Sequence, residues 1–228
     1  MTTFCLVHGA WHGGWCWERL APELEARGAQ VVAPDLPCED VDAGISAYAD
    51  VVDTALGEAD DVVLVGHSLG GVTIPVVAAR RPVRRLVFLC AFVPTPGEPI
   101  TRAIAAGALL PGFAVSTAKD ERERTYWPDP AAAVHDLFDD APPDAALEAA
   151  ARLRRQARAP LREPCPLDEL PDVERASIVC RDDRAISPDW SRAAARELLG
   201  VEPVELPGSH SPFLSRPAEL AELLVSLA

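Results

Sequence analysis

The chain reads as an α/β protein, a mostly parallel sheet with helices on both faces. Three observations predict this. Short apolar runs rich in β-branched residues alternate with amphipathic stretches of helical length. One such run, Asp61 to Val65, leads straight into Gly66-His67-Ser68-Leu69-Gly70-Gly71, so a strand buried on both faces ends in a sharp, glycine-flanked turn. Residues that carry chemistry fall just past four predicted strand ends, where an open parallel sheet assembles its site.

Thr3 to His8 is a short buried strand. A glycine- and aromatic-rich loop follows, His8-Gly9-Ala10-Trp11-His12-Gly13-Gly14-Trp15. Trp17 to Arg27 is predicted as an amphipathic helix, with Leu20 and Leu24 on one face and Gly28 past its end. Gln30 to Ala33 is the next strand. Ser46 to Leu56 is helical, and Gly57 suits its C-terminal side. The Asp61 strand and its turn come next, with a helix expected over Val72 to Arg80. Arg85 to Phe92 is a further buried strand, broken by Val93-Pro94-Thr95-Pro96-Gly97.

Between residues 97 and 166 strand signals vanish, and Pro, Ala and charged residues dominate. Pro130 to Phe138 and Asp144 to Arg155 read as helices. Seventy residues without structure are implausible in a compact domain, so the segment is expected to fold over something. The expected organisation is a core of residues 1–96 and 167–228 with a helical lid of residues 97–166. The core resumes with a strand over Ala176 to Cys180, a helix over Pro188 to Leu199, a last strand over Val201 to Leu206, and a closing helix over Pro217 to Leu227.

The 228 residues suffice for one domain with an adequate core. A formal charge of −14 argues against nucleic acid and anionic membrane as partners. With Met1-Thr2-Thr3 running directly into an apolar strand, no signal peptide is expected; no apolar stretch reaches membrane length, and the six cysteines form no Cys-x-x-Cys pair. They read as reduced thiols in a cytoplasmic protein. Monomer and homodimer both remain open.

The turn around Ser68 has the context of a nucleophile elbow: strand, tight turn, helix. A side chain at Gly66 or Gly70 would crowd it. Serine needs a base within reach, and histidine, titrating near neutrality, suits. Of the five histidines, His210 alone follows the last strand. His67 adjoins the serine and is expected to pack. His8 and His12 are expected to shape the first loop, and His135 sits in an inserted helix without a role. An acid must orient the base, and Asp182 and Asp183 both follow a strand; residue chemistry does not separate them. The order serine, acid, histidine is the one expected of such a triad. An oxyanion hole needs two backbone N–H groups, expected at Leu69, directly after the serine, and at Ala10, where Gly9 lets the backbone approach closely.

These segments, together with Cys180-Arg181-Asp182-Asp183-Arg184-Ala185-Ile186 and His210-Ser211-Pro212-Phe213-Leu214, resemble the α/β-hydrolase superfamily. More narrowly they resemble the plant methylesterase and hydroxynitrile lyase group and its bacterial esterase relatives. The likeness covers the core and touches the insert at Gln156 to Pro164. It implies the α/β-hydrolase fold and assigns Asp183, second of the acidic pair, as the triad acid. Lyases of this group carry threonine where this chain has Gly9, and lysine where it has Ser211. Both departures favour an esterase.

The expected chemistry is hydrolysis of a small carboxylic ester through an acyl-enzyme, with no metal or cofactor. Gly9, Trp11, Phe92, Phe113, Trp127 and Leu214 are candidates to line an apolar substrate pocket. A lactonase, a thioesterase or a tailoring cyclase would use the same triad. A small-ligand binding protein would need no complete triad, and a hydroxynitrile lyase is disfavoured.

Overall fold

The computed structural model describes residues 1–228. Its spine is a six-stranded sheet in which every neighbouring pair is parallel. Strands β1 (Thr3–Val7), β2 (Gln30–Val32), β3 (Val62–His67) and β4 (Arg85–Leu89) form its first part. Helices α1 (Ala21–Glu25), α2 (Ile45–Leu56) and α3 (Ile74–Ala78) link them. After β4 the chain leaves the sheet. It forms α4 (Thr101–Ala105), a two-stranded antiparallel hairpin of β5 (Ala118–Lys119) and β6 (Thr125–Tyr126), then α5 (Pro130–Leu137), α6 (Pro143–Ala151) and α7 (Ala159–Arg162). It returns through β7 (Glu174–Cys180), α8 (Pro188–Glu197), β8 (Val204–Leu206), α9 (Pro212–Ser215) and α10 (Pro217–Leu227). The strand order is β2-β1-β3-β4-β7-β8.

Side chains alternate across a strand, so each buried strand feeds two cores. Phe4 and Leu6 of β1, with Val63 and Val65 of β3, join Trp17, Leu20 and Leu24 and the α10 residues Leu220 and Leu224. Cys5, Val7, Val62 and Leu64 point the other way, to Ile45, Tyr48 and Val52 of α2 and to Ile74 and Val77 of α3. All six cysteines are buried and unpaired. No helix is long and apolar enough to cross a membrane.

Four local expectations need correction. The first helix is broken: a 3-10 helix covers Gly14–Trp17, and α1 starts afresh with Pro22 in its first turn, where the missing N–H is harmless. Behind Ser68 a 3-10 helix (Ser68–Val72) precedes α3, because Pro75 cannot donate to the previous turn and its ring crowds the carbonyl there. β4 stops at Leu89 rather than Phe92, as Cys90 adopts φ +44 and turns the chain away. The insert is not free of strands. Its hairpin closes on the Asp120 carboxylate, which accepts hydrogen bonds from the N–H groups of Arg122 and Arg124. A run of charged residues hides so short a strand pair from sequence patterning.

Candidate active site

Strand order brings the site together. β1 and β3 are neighbours, with Val7 opposite Gly66, so the loop after β1 lies against the turn after β3. β7 and β8 are also neighbours, with Cys180 opposite Leu206, so the Asp182-Asp183 and His210 loops emerge side by side.

Ser68 occupies the turn between β3 and the 3-10 helix at φ +52, a conformation costly for a residue with a Cβ. Tight approach on every side holds it there. A Cβ on Gly66 would lie 2.8 Å from the Gly70 carbonyl oxygen, and one on Gly70 would run into the Val7 carbonyl. A Cβ on Gly9 would lie 2.7 Å from that of Ser68 and 3.0 Å from His67 Nδ1. Ser68 itself is half-buried, between buried His67 and Leu69.

His210 and Asp183 are buried together, and Asp183 Oδ2 accepts from His210 Nδ1–H at 2.9 Å. The other carboxylate oxygen, Oδ1, accepts from the N–H groups of Ala185 (2.7 Å) and Ile186 (3.0 Å), which fixes its plane. With Nδ1 protonated, His210 Nε2 presents a lone pair, as a general base must. Asp182 is exposed and does something else. Its N–H donates to the Gly208 carbonyl at 3.0 Å, and its carboxylate accepts from the Gly208 N–H at 3.1 Å. It therefore ties the acidic loop to the histidine loop. The insert grips that loop too, because the Asp140 carboxylate accepts from the Ser209 N–H at 3.0 Å.

His67 does more than pack. Its Nε2–H donates to the His210 carbonyl at 3.0 Å, and the two rings are 4.7 Å apart. The residue beside the serine thus staples the histidine loop to the elbow. Burial pushes the His67 pKa well below the ordinary histidine value, and the adjacent His210 imidazole pushes the same way. His8 and His12 are also kept neutral by burial, pushed down to about 4 and about 3. His8 donates to the Gly9 carbonyl and accepts from the Leu36 N–H, while His12 donates to the Ala10 carbonyl at 2.7 Å. Both brace the loop after β1, as expected. His135 is exposed, between Asp136 and Arg184.

The Ala10 N–H finds no hydrogen-bond partner within the chain. Leu69 is the second residue of its helix, where N–H groups lack an intrahelical acceptor. Of the residues expected around a pocket, Trp11, Phe113 and Trp127 form one edge-to-face cluster, with centroids 5.5 to 6.3 Å apart. Phe113 lies 6.5 Å from the His210 ring. Phe92 turns instead toward Trp190, 6.1 Å away, in the core on the α2 side of the sheet. Leu214 is buried in α9 and edges a small surface dent with Trp15 and Arg152. Nowhere do three or more His, Cys, Asp or Glu side chains converge as metal ligands would.

A sequence profile described as the Alpha/beta hydrolase family matches residues 6–223, and the chain belongs to that family. A pyrethroid hydrolase from Sphingobium wenxiniae is 30% identical, with 100% of this chain aligned to 88% of that one. A carbendazim hydrolyzing esterase from Nocardioides sp. is 42% identical, over 49% of this chain and 48% of its own. The crystal structure of a pyrethroid hydrolase from Sphingobium faniae superposes with a TM-score of 0.83 at 27% identity, covering 99% and 96% of the two chains.

Proposed function

We propose that the protein is a serine esterase that hydrolyses carboxylic esters of small, largely apolar molecules. One observation carries this reading: a buried Asp183–His210 hydrogen bond of 2.9 Å, with the histidine loop stapled through His67 to the turn that holds Ser68 at φ +52. Ser68 attacks the ester carbonyl, and His210 Nε2 takes its proton. Asp183 holds the imidazole in the tautomer that can do so and stabilises its cation. The oxyanion is bound by the N–H groups of Ala10 and Leu69. His210 returns the proton to the leaving alcohol. Water then enters with His210 again as base and releases the acid.

The segment 97–166 is the lid in this reading. The cluster of Trp11, Phe113 and Trp127 supplies the apolar face for the acyl group. Relatives named for pyrethroids and carbendazim support a substrate larger than a simple acetate. Hydrolysis is favoured over cyanohydrin cleavage by Gly9 and Ser211, which stand where lyases of the resembled group carry threonine and lysine. A cytoplasmic setting fits six buried, unpaired thiols.

The test is Ser68→Ala on a panel of p-nitrophenyl esters, with lactones and acyl thioesters beside them. Loss of all ester turnover, and of labelling by a fluorophosphonate, is expected. Full activity of the variant would overturn the mechanism, and turnover of lactones or thioesters alone would move the protein to another acyl substrate.

A further inference from the structure

The residue after the Ala10 donor, Trp11, belongs to the core by sequence but is held by the insert. It sits at φ +63, which a residue with a Cβ adopts only when its surroundings impose it. Each of its polar groups is engaged by the insert. Its N–H donates to Gln156 Oε1 at 3.4 Å. Its carbonyl accepts from the Arg154 N–H at 2.7 Å. Its indole Nε1–H donates to Thr125 Oγ1 at 3.0 Å. Phe113 and Trp127, also of the insert, meet the ring edge to face.

Gln156 is the pivot of this clamp. It is 1% exposed, and its Nε2 donates to the Tyr48 hydroxyl of α2 at 3.1 Å and to the Ala157 carbonyl at 2.8 Å. Its backbone exchanges hydrogen bonds with Thr125, at 2.9 Å and 2.8 Å. Gln156 is therefore fixed to the core at Tyr48, to the hairpin strand at Thr125, and to the oxyanion loop at Trp11. The peptide joining Ala10 to Trp11 is gripped from both sides. His12 Nδ1–H holds its carbonyl at 2.7 Å, and Gln156 takes its N–H. The Ala10 N–H belongs to the preceding peptide, whose Gly9 carbonyl accepts from His8 Nδ1–H at 2.9 Å, so the clamp on Trp11 holds the other side of Ala10 and limits rotation of that N–H.

From this geometry we infer that Gln156 and Thr125 are positioning residues for the oxyanion hole, so that docking of the insert completes the catalytic site. The inference rests on the esterase reading and on Ala10 as a donor. It makes the insert more than a cover, because losing only its hold on Trp11 would leave serine, base and acid in place but lose the alignment of one oxyanion donor. A misplaced donor weakens transition-state binding while leaving ground-state binding nearly intact.

The experiment compares Gln156→Leu, Thr125→Val and Thr125→Ser with the parent enzyme on one p-nitrophenyl ester. Inhibition constants are measured for a trifluoromethyl ketone, which becomes an oxyanion on Ser68, and for an unreactive ether of the same shape. Gln156→Leu and Thr125→Val are expected to lower kcat by roughly ten- to a hundredfold with KM changed little, as expected for a donor displaced by a fraction of an ångström. Ketone affinity should fall by the same factor and ether affinity should hold. Thr125→Ser, which keeps the hydroxyl, should stay near the parent. Thr125 is half-buried, so its valine variant keeps the test open if Gln156→Leu fails to fold. Unchanged kcat in folded Thr125→Val, or equal losses for ketone and ether, overturns the inference. Ser68→Ala in the same assay separates the two levels. An active Ser68→Ala removes the esterase reading itself, whereas an inactive one beside an unaffected Thr125→Val removes only the positioning role.

Discussion

At the scale of single residues, the adjacent acids Asp182 and Asp183 show what burial decides. They share chemistry and follow the same strand, so residue type alone leaves them equal. In the fold Asp183 is buried and spends both oxygens on His210, Ala185 and Ile186, while Asp182 is exposed and bonds only Gly208. An amide at 183 would offer His210 an N–H where it needs an acceptor, or force the wrong tautomer. Asp183→Asn should lower kcat by about 10⁴ with little change in fold. Asp182→Asn keeps an oxygen for the Gly208 N–H and should stay near wild type. Steady-state rates of the two variants at one pH decide the matter, and a reversed ranking would assign the acid to Asp182. As candidates, Ser68 and His210 are legible in the sequence because each follows a strand at a turn. Gln156 and Thr125 are not, since their bonds to Trp11 cross 145 and 114 residues and leave no local pattern.

At the scale of elements, α10 follows its predicted bounds, because Pro217 opens it and an apolar stripe of Leu220, Ala221 and Leu224 runs along it. Elements of the insert were less legible, since their partners lie in the core rather than beside them in sequence. The α6 C-terminus shows how they are held. Arg152 lays its guanidinium 4.7 Å over the Trp15 ring and forks onto the Glu18 carboxylate with two bonds of 2.7 Å. The side chains are 35% and 62% exposed, so the ion pair contributes at most about 1 kcal/mol. In a chain of this size, a loss of that order lowers Tm by about 2–4 °C. Arg152→Ala should therefore leave global stability nearly intact and still loosen the insert locally. Amide exchange across residues 143–162 should quicken while the core strands keep their protection. A fall in Tm beyond 10 °C, or exchange that does not change, would show that Arg152 is not a local latch.

At the scale of the whole molecule, folding carries a proton balance set mainly by buried histidines. His8 and His12 are pushed down to about 4 and about 3, and His67 lies well below 6.5, all by burial before any other cause. In the unfolded chain each would titrate near its ordinary value of about 6.5. Below that pH the unfolded state binds protons that the folded state refuses, so folding stability rises with pH in this range. The contribution is complete above about pH 6.5 and is lost as pH falls toward the folded values, near 4 for His8. Between pH 7 and pH 5 the loss is on the order of 2 kcal/mol for each fully neutral histidine, at about 1.4 kcal/mol per unit. Such losses are large against the few to fifteen kcal/mol that hold a domain together. Exposed carboxylates held down by arginine or lysine, such as Glu18 and Glu205, act in the same direction but only at lower pH. The excess of acidic groups behind the charge of −14 works against this trend, because protonating them on acidification relieves repulsion in the folded state. Burial dominates near pH 6, where histidines titrate and exposed carboxylates do not. Urea midpoints should thus fall steadily from pH 7 to pH 5, with an unchanged slope against denaturant. His12→Gln removes one of the three histidines, keeps a side-chain donor for the Ala10 carbonyl, and should flatten the decline by close to one proton. A midpoint constant across that range, or an equal decline in His12→Gln, would mean that the buried histidines do not set the acid limit of this fold.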